Sequence, residues 1–357
     1  MKTYIIFLLN IFFKSFLKVF LILMTLIMII NIFEEIEFFK TINVHFLYPV
    51  FLSALNTPSI IFEILPFIFL ISAQVFFIKL IDNNELQIFK YTGLTNLKIL
   101  KIVSLFSFFL GLILVIFFYN ISSKLKNQYL EIKNNYSNDN KYLAVITENG
   151  LWIKDEIDNK INIVNASKID ENFLLDVLIV EFDSDYNYRR TIQSKVVDIS
   201  KKLWFLNKAN ITVDNVTTNS DDLFLNSNFD LKKINSLFSN LSSLTIWNLF
   251  KLRKDYENLN YSITEIDGHI HKLFSYPIYL TIMTVLSGII MLNIKYLKNS
   301  IFKIIFGILI SVLIYYINFF FNALGVNEKV PIVFSVWLPL IMLSLINLIF
   351  IVRINEK

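Results

Sequence analysis

Two blocks of three long apolar runs, separated by a polar stretch over residues 122–268, constrain the fold of this chain more than any other feature. The six runs are Tyr4–Ile30, Ile60–Leu80, Ile99–Ile121, Leu273–Ile294, Ile301–Phe321 and Val330–Val352. A helix needs roughly 20 mainly apolar residues to cross a bilayer, where every backbone polar group must be satisfied within the protein. Each run is long enough, so the sequence predicts an integral membrane protein with six transmembrane helices.

Composition supports this class and excludes others. Hydrophobic residues make up 55% of the chain and 36 of its 357 residues are Phe, more apolar bulk in long runs than a soluble core could bury. The chain has no cysteine, which excludes disulfides, thiolate metal sites and cysteine nucleophiles.

The predicted organisation has three parts. Residues 1–121 hold transmembrane helices 1–3, residues 122–268 form an inserted external domain, and residues 269–357 hold helices 4–6. The insert is predicted to be mainly β, because short apolar runs alternate with Asn, Asp, Ser and Lys clusters. These runs are Tyr142–Ile146, Leu151–Lys154, Ile161–Val164, Val177–Phe182, Thr191–Ile199, Leu203–Leu206 and Ile211–Val213. Their spacing favours an all-β sandwich or jelly roll, followed by a helical connector that starts near Leu244.

Basic residues near the ends of the runs predict the orientation. They concentrate at one side of the membrane: Lys2, Lys79, Lys90, Lys98, Lys101, Lys295, Lys298, Lys303, Arg353 and Lys357. The other side is poorer in basic residues and carries Glu34, Glu35 and Glu37. Both termini are therefore expected in the cytoplasm and the insert outside. The first run is too long for a signal peptide and should remain as an anchor.

The connection between the second and third runs carries the strongest local signal. Residues 82–84 (Asp-Asn-Asn) can cap a short helix whose first turn holds Glu85, a favourable place for an acid. Three further residues follow at helical spacing: Leu86, Phe89 and Lys90. Gly93 is suited to the position just after the helix. The sequence thus predicts a short amphipathic helix over about residues 82–92, which is either a simple connector or the element that couples a permease to a motor ATPase.

A series of motifs runs through nearly the whole chain. In order they are Leu65-Pro66, Asn84-Glu85-Leu86, Thr92-Gly93-Leu94-Thr95, Gly150-Leu-Trp-Ile-Lys-Asp, Glu181-Phe-Asp, Trp204-Phe-Leu, Asn322-Ala-Leu-Gly-Val, Val330-Pro331 and Trp337-Leu-Pro339. With the six runs and the external insert, this order resembles the LptF/LptG lipopolysaccharide export permeases. The acidic Glu34-Glu35 turn and the Gly150-Leu-Trp strand favour the LptG member over LptF.

The resemblance implies a fold, a function and partners. It implies an ABC transporter permease of the bacterial inner membrane that pairs with an LptF-like permease and binds a dimer of an LptB-like ATPase. Such permeases extract lipopolysaccharide and pass it through periplasmic jelly-roll domains to an LptC-like bridge protein, without a cofactor. In this picture the 82–92 segment is the coupling helix, and Glu85 is its ionic contact with the ATPase.

One feature departs from the family pattern. LptG members carry basic residues at the outer end of the first span, suited to lipid A phosphates, whereas this chain is acidic there and only Lys40 follows. Three lysines beyond the third span, Lys124, Lys126 and Lys133, are the alternative candidates for phosphate contacts. Ordinary solvated charges at the end of a membrane helix would have the same pattern.

Two further sets of residues have a less specific interpretation. Lys14 and Lys18 share one helix face within the first run, so they either face a cavity or reach back to the cytoplasmic interface. His269 and His271 are two apart and would point in different directions on a helix, so no metal site is predicted there.

Other function classes lack the residues they need. The chain has no phosphate-binding Gly-rich loop with a Lys, so ATP hydrolysis is expected in another subunit. It has no carboxylate pair or nucleophile and base that would indicate a membrane glycosyltransferase or protease, and nothing that indicates a nucleic-acid partner. The alternative that stays open is a mechanotransmitting permease or sensor with an external β domain that moves no lipid.

Overall fold

A computed structural model describes residues 3–42, 44–136, 151–157, 160–170, 172–214, 216–231, 234, 240–258, 261–293 and 300–355. The chain divides into two compact units. A membrane unit comprises Met1–Lys126 and Thr264–Lys357, and a β unit comprises Asn127–Ile263. The predicted strand Tyr142–Ile146, the motif residue Gly150 and the basic residues Lys2, Lys295, Lys298 and Lys357 lie outside the described residues.

Six helices of the membrane unit are long and apolar enough to cross a bilayer, which confirms the predicted six spans. In chain order the helices are α1 Thr3–Phe38, α2 Tyr48–Asp82, α3 Glu85–Tyr91, α4 Asn96–Ile113, α5 Asn120–Asn135, α6 Ile246–Asn258, α7 Thr264–Asn293, α8 Ser300–Val326 and α9 Ile332–Asn355. A π-helical turn at Leu114–Tyr119 joins α4 to α5, so the helix continues without a break from α4 into α5. Helix α6 belongs to the β unit and α3 is short; the others supply the spans.

Helices α2 and α7 form the centre of the membrane unit. In the most apolar stretch of each helix, 61% of the residues of α2 and 72% of those of α7 are buried. The buried share is only 17% in α1 and in α8, and 22% in α9. Helix α1 packs along α2, and α4 packs along α7. Because α1, α8 and α9 expose large apolar side chains, their outer faces are suited to lipid or to another membrane subunit.

Close contacts between small residues and polar groups fix α8 against its neighbours. The side-chain amide of Gln74 on α2 donates a hydrogen bond to the carbonyl of Lys303 at 2.8 Å, and the Lys303 ammonium donates to the carbonyl of Met291 at 2.9 Å. Gly307, one turn further along α8, lies directly against the Gln74 amide, and a larger residue there would overlap it. Hydrogen bonds of this kind hold helices together where water cannot compete.

The strands of the β unit form one antiparallel sheet in sequential order. They are β1 Leu151–Ile157, β2 Lys160–Asp170, β3 Phe173–Asp183, β4 Tyr188–Asp198, β5 Leu203–Val213 and β6 Val216–Asn226. The predicted β domain is thus confirmed, but two details of the prediction were wrong. The runs predicted at 203–206 and 211–213 are one strand, and β6 was not predicted. The sequential order also differs from the Greek-key order of a jelly roll, because short turns join each strand to its neighbour.

The segment that follows β6 returns to β1. Asp155 on β1, which is buried, accepts hydrogen bonds from the Ser227 hydroxyl at 2.7 Å and from the backbone and side-chain amides of Asn228 at 3.1 and 2.9 Å. Residues 227 and 228 directly follow β6, at the opposite end of the strand order. Just beyond them, the indole of the buried Trp204 donates to the carbonyl of Phe229 at 2.8 Å. These bonds fix the segment after β6 against both β1 and β5.

Candidate functional site

The short helix α3 and the residues that bound it form the first candidate site. The helix follows α2 after two residues, and Asn84 adopts a left-handed conformation with φ of 58° that turns the chain into it. The helix covers Glu85–Tyr91, slightly shorter than predicted. Side-chain capping by residues 82–84 was wrong: the Asn83 amide donates instead to Glu85 Oε1 at 3.3 Å. The backbone turn alone begins the helix.

The end of α3 follows the prediction. Gly93 has a φ of 82°, which favours glycine, and its amide donates to the carbonyl of Lys90 at 3.0 Å. The next amide, of Leu94, donates to the carbonyl of Phe89 at 2.9 Å. Thr95 then caps α4 by accepting a hydrogen bond from the amide of Lys98 at 3.3 Å. Two capping motifs in a row hold α3 at a defined angle to the spans on either side.

Helix α3 is a surface helix with no buried residue. Tyr91 is 89% exposed and Ile88 57% exposed, while Leu86 is half-buried. The Phe89 ring contacts Phe7 near the start of α1, with ring centroids 6.1 Å apart. Apolar residues on a helix that contacts so little of its own chain indicate a surface that another protein covers.

The carboxylate of Glu85 has an unusual environment for a surface helix. Its Oε1 accepts the hydrogen bond from Asn83, whereas its Oε2 is shielded from solvent and has no hydrogen-bond partner within the described part of the chain. A shielded carboxylate oxygen without a donor is unfavourable, because it has lost water without gaining a replacement.

A cavity of about 370 Å³ within the membrane unit is the second candidate site. Its walls come from α2, α7, α8 and α9, and it lies toward the end of the bundle where α7 begins. Pro66 and Phe67 form one side, opposite Tyr315 and Tyr316 of α8. Amide and hydroxyl groups at its border are those of Asn318, Asn322, Ser275, Ser311 and Ser335. Apolar walls with a few polar groups are typical of a site for an amphipathic ligand.

Charged residues gather at one end of this cavity. Glu63 of α2 and Lys272 of α7 both line it. The Lys126 ammonium, near the start of the β unit, lies 4.0 Å from the Glu63 carboxylate, and its side chain is 15% exposed. Two lysines against one glutamate leave a net positive charge at the end of an otherwise apolar cavity. Such a site suits a ligand with an anionic headgroup and an apolar body.

Hydrogen bonds between spans give the cavity its rigid inner wall. The Tyr276 ring stacks on Phe62 with centroids 4.7 Å apart, and its hydroxyl donates to the Phe62 carbonyl. Tyr119, the last residue of the π-helical turn, is hydrogen-bonded to His269 Nε2 at 2.9 Å. His271 faces elsewhere, and its Nδ1 accepts from the Trp337 indole at 3.5 Å. The two histidines therefore contact different helices, as their spacing predicted.

The predicted phosphate-binding lysines lie in unlike environments. Lys40 and Lys124 are exposed, and Lys126 contacts Glu63 at the cavity. Lys133 is buried, and its ammonium donates to the Tyr129 hydroxyl at 2.8 Å. Lys14 and Lys18 are both exposed on one face of α1. Of the four phosphate candidates, only Lys126 is shown in contact with a residue that lines the cavity.

Four residues that line the cavity were not predicted as site residues: Lys272, Tyr276, Asn318 and Asn322. A signal was present for Tyr276 and Asn318, because polar side chains inside apolar runs commonly face a cavity or another helix. Asn322, just beyond its run, had appeared only as part of a motif. Lys272 and Glu63 line the same cavity although they lie 209 residues apart in the chain, and no local pattern indicates this.

Fold and site together define a multi-pass membrane protein in which three spans, an inserted β domain and three more spans follow one another. The family model described as "Lipopolysaccharide export system permease LptF/LptG" matches residues 6–353, nearly the whole chain. The chain therefore belongs to the LptF/LptG family of lipopolysaccharide export permeases, which are transport subunits of the inner membrane. The match covers both members together and does not distinguish LptG from LptF. No curated protein matches the chain.

Proposed function

We propose that this chain is the permease subunit of an ABC-type transporter that extracts lipopolysaccharide from the inner membrane and passes it to a periplasmic bridge. A dimer of an LptB-like ATPase supplies the energy, an LptF-like permease completes the membrane channel, and an LptC-like protein receives the lipid. The acidic pair Glu34-Glu35, which lies in helix α1 and not in a turn as predicted, favours the LptG role for this chain. Both termini lie in the cytoplasm and the β unit in the periplasm, in agreement with the distribution of basic residues.

The observation that carries this proposal is the exposed helix α3, which has no buried residue and holds Glu85 in its first turn. A motor subunit that provides a basic group would pair with the Glu85 carboxylate and cover the exposed ring of Tyr91. Lys90, in the last turn, offers a second charge of opposite sign to the same partner. The left-handed turn at Asn84 and the cap at Gly93 join α3 to the spans α2 and α4, so a displacement of α3 would be passed to the bundle.

The cavity supports a lipid as the transported molecule. Its apolar walls accept an acyl chain, while Lys126 and Lys272 provide ammonium groups for phosphate at its charged end. The cavity would form this chain's half of a larger chamber that is completed by the partner permease. Lys40 and Lys124, which are exposed, are proposed as outer contacts on the path of the headgroup. Lys133 is the weakest candidate because its ammonium is already engaged with Tyr129.

Co-purification with the ATPase tests the proposal. The chain, an LptF partner and an LptB ATPase are co-expressed and isolated in detergent, with wild type compared with Glu85→Ala and Glu85→Lys. We expect wild type to retain the ATPase, the alanine variant to retain less, and the charge reversal to lose most of it. Glu37→Lys makes the same change of charge on the exposed outer end of α1 and should have no effect.

The result that overturns the proposal is an ATPase that binds wild type and Glu85→Lys equally well. Absence of any bound ATPase, under conditions where a known permease complex stays intact, would also overturn it. Thermal unfolding of each purified variant shows whether the membrane unit has kept its fold.

A further inference from the structure

Helix α6, Ile246–Asn258, has two faces of different character. Leu249 and Leu252 are buried. The opposite face, here named the α6 stripe, consists of five exposed residues at spacings of 3, 4, 7 and 11 from the first: Trp247, Phe250, Lys251, Lys254 and Asn258. At about 100° per residue these five positions fall within an arc of roughly 100°, and the exposed Glu257 lies just beyond its edge. The stripe therefore combines two aromatic rings and two ammonium groups on a single surface.

The aromatic residues of the stripe are too exposed to serve the core of the β unit. The Trp247 indole is 81% exposed and the Phe250 ring 42% exposed. A large indole that is left in water beside lysines indicates a surface that is covered in the functional state. Trp is enriched where protein meets lipid headgroups, and helices that lie in that plane combine Trp and Phe with Lys and Arg.

The charges of the helix are sorted so that the stripe is cationic. Lys251 and Lys254 belong to the stripe, whereas the acidic Glu257 forms an ion pair with Arg253 beside it, at 2.6 Å. Asp255, the other acidic residue of α6, is only partly exposed and lies outside the stripe. The stripe thus complements a surface that carries negative charge and accepts apolar groups at the same depth.

The connection between α6 and the next helix along the chain is short. Six residue-to-residue steps separate Asn258 from Thr264, the first residue of the spanning helix α7, and cover at most about 20 Å. Within this connection, the hydroxyl of Tyr261 accepts from the backbone amide of Lys154 at 2.9 Å and donates to its carbonyl at 3.0 Å. Burial raises the pKa of Tyr261 to about 12, so the hydroxyl stays neutral and can make both bonds.

We propose that the α6 stripe binds the anionic lipid surface of the membrane in which α7 is embedded. Trp247 and Phe250 enter the headgroup region, and Lys251 and Lys254 contact lipid phosphates. The interaction gives the β unit a second attachment to the bilayer besides its two chain connections. It depends only on the membrane location of the chain, and not on which lipid is transported.

The absence of cysteine in the chain allows a direct test. The full-length protein with Trp247→Cys is labelled with an environment-sensitive fluorophore and placed in nanodiscs of phosphatidylcholine containing phosphatidylglycerol and a nitroxide-bearing lipid. The matched control is Trp152→Cys on β1, an indole that is 54% exposed but lies outside α6. We expect the probe at 247 to lose at least half its fluorescence to the quencher and the probe at 152 to lose little.

A second comparison tests the charge. In the labelled Trp247→Cys protein, Lys251→Glu combined with Lys254→Glu should reduce the quenching several-fold, and so should nanodiscs of phosphatidylcholine alone. Both lysines are exposed, so the fold should survive, and gel filtration with thermal unfolding verifies this.

Three outcomes would overturn the proposal. The first is a probe at 247 that is not quenched, which is the result expected if the stripe binds a protein. The second is equal quenching at 247 and 152, and the third is quenching that ignores both lipid charge and the lysine reversals. None of these results bears on ATPase binding, so a failure here is distinguishable from a failure of the transport proposal.

Discussion

Glu181 Oε2 accepts two hydrogen bonds from Arg190, which lies directly across from it on β4, from Nε at 3.0 Å and from Nη2 at 2.8 Å. The other carboxylate oxygen lies 3.2 Å from the ammonium of Lys160. The Glu181 side chain is 4% exposed, so burial by itself would raise its pKa. The hydrogen bonds and charges of Arg190 and Lys160 outweigh burial and hold the pKa below its ordinary value of 4.5.

This arrangement predicts a loss of stability of the β unit in acid. The pKa of Glu181 is lower in the folded than in the unfolded chain, so its stabilising effect is fully present above about pH 4.5. It is lost as the pH falls through the folded-state value. Glu181→Gln should therefore cost about 1–3 kcal/mol at pH 7 and progressively less as the pH falls below 4.5. Thermal unfolding of the full chain in detergent between pH 3 and 7 measures the difference.

A surface pair on the same sheet provides the control for that experiment. Lys154 and Glu156 lie 2.7 Å apart with side chains 31% and 43% exposed. Exposed pairs contribute roughly 0–1 kcal/mol, so Glu156→Gln should change the melting temperature little at any pH. If the two substitutions had the same effect at pH 7, the assignment of special weight to Glu181 would be wrong.

The contact between Gly307 and Gln74 predicts that α8 tolerates no larger residue at this point. Gly307→Ala should destabilise the membrane unit by about 1–3 kcal/mol, because the new methyl group overlaps a buried amide that is held by Lys303. In the Gln74→Ala background the same substitution should cost little, since the overlapping group is gone. The melting temperatures of wild type, the two single variants and the double variant are compared in detergent. Additive effects of the two substitutions would contradict the contact.

Substitution of two lysines, one that lines the cavity and one that does not, should show which of them contributes to lipid binding. Lys272→Glu places a second acid beside Glu63 and removes one ammonium group from the cavity end. We expect lipopolysaccharide recovered by cross-linking to the purified complex to fall roughly tenfold, the effect of losing one charge-assisted hydrogen bond. Lys124→Glu, outside the cavity, should have a smaller effect. Equal losses for both would mean that the cavity end is not the headgroup site.

A cysteine-labelling experiment tests the proposed orientation of the chain in the membrane. Asp185→Cys lies in the exposed turn between β3 and β4, and Asp82→Cys lies at the exposed end of α2 beside α3. A membrane-impermeant maleimide should label position 185 in spheroplasts and position 82 only after the membrane is opened. The reverse pattern would invert the proposed orientation and separate α3 from a cytoplasmic motor.

The hydrophobic runs predicted the six spans because the bilayer requires length and apolar character, and both are local properties of the sequence. The strands were harder to predict. The polar pair Asn207 and Lys208 interrupts β5, and Lys208 has a φ of 51°, so one strand looked like two. Strand β6 contains Thr-Thr-Asn-Ser-Asp-Asp and lies at an edge of the described sheet, where polar residues are tolerated, so its short apolar run Leu223–Leu225 was not recognised as part of a strand.

Contacts between distant residues could not be predicted at all. The α3 segment was found because capping residues are close in sequence, although its N-terminal cap proved to be backbone geometry at Asn84. The cavity joins residues of four helices that lie up to 277 positions apart, such as Glu63 and Leu340. Nothing in a local pattern indicates which polar residue of one span will face which residue of another.

The bonds from Asp155 to Ser227 and Asn228 have a consequence for the order in which the β unit folds. Each strand pairs with its sequence neighbour, so every hairpin can form soon after its second strand leaves the ribosome, at a small entropic cost of loop closure. The partners of the Asp155 carboxylate, in contrast, lie more than 70 residues further along the chain and are synthesised much later. The bonds of Asp155 therefore form only after the hairpins, and a chain that stalls before residue 227 would leave this carboxylate without the groups that hold it in the folded unit.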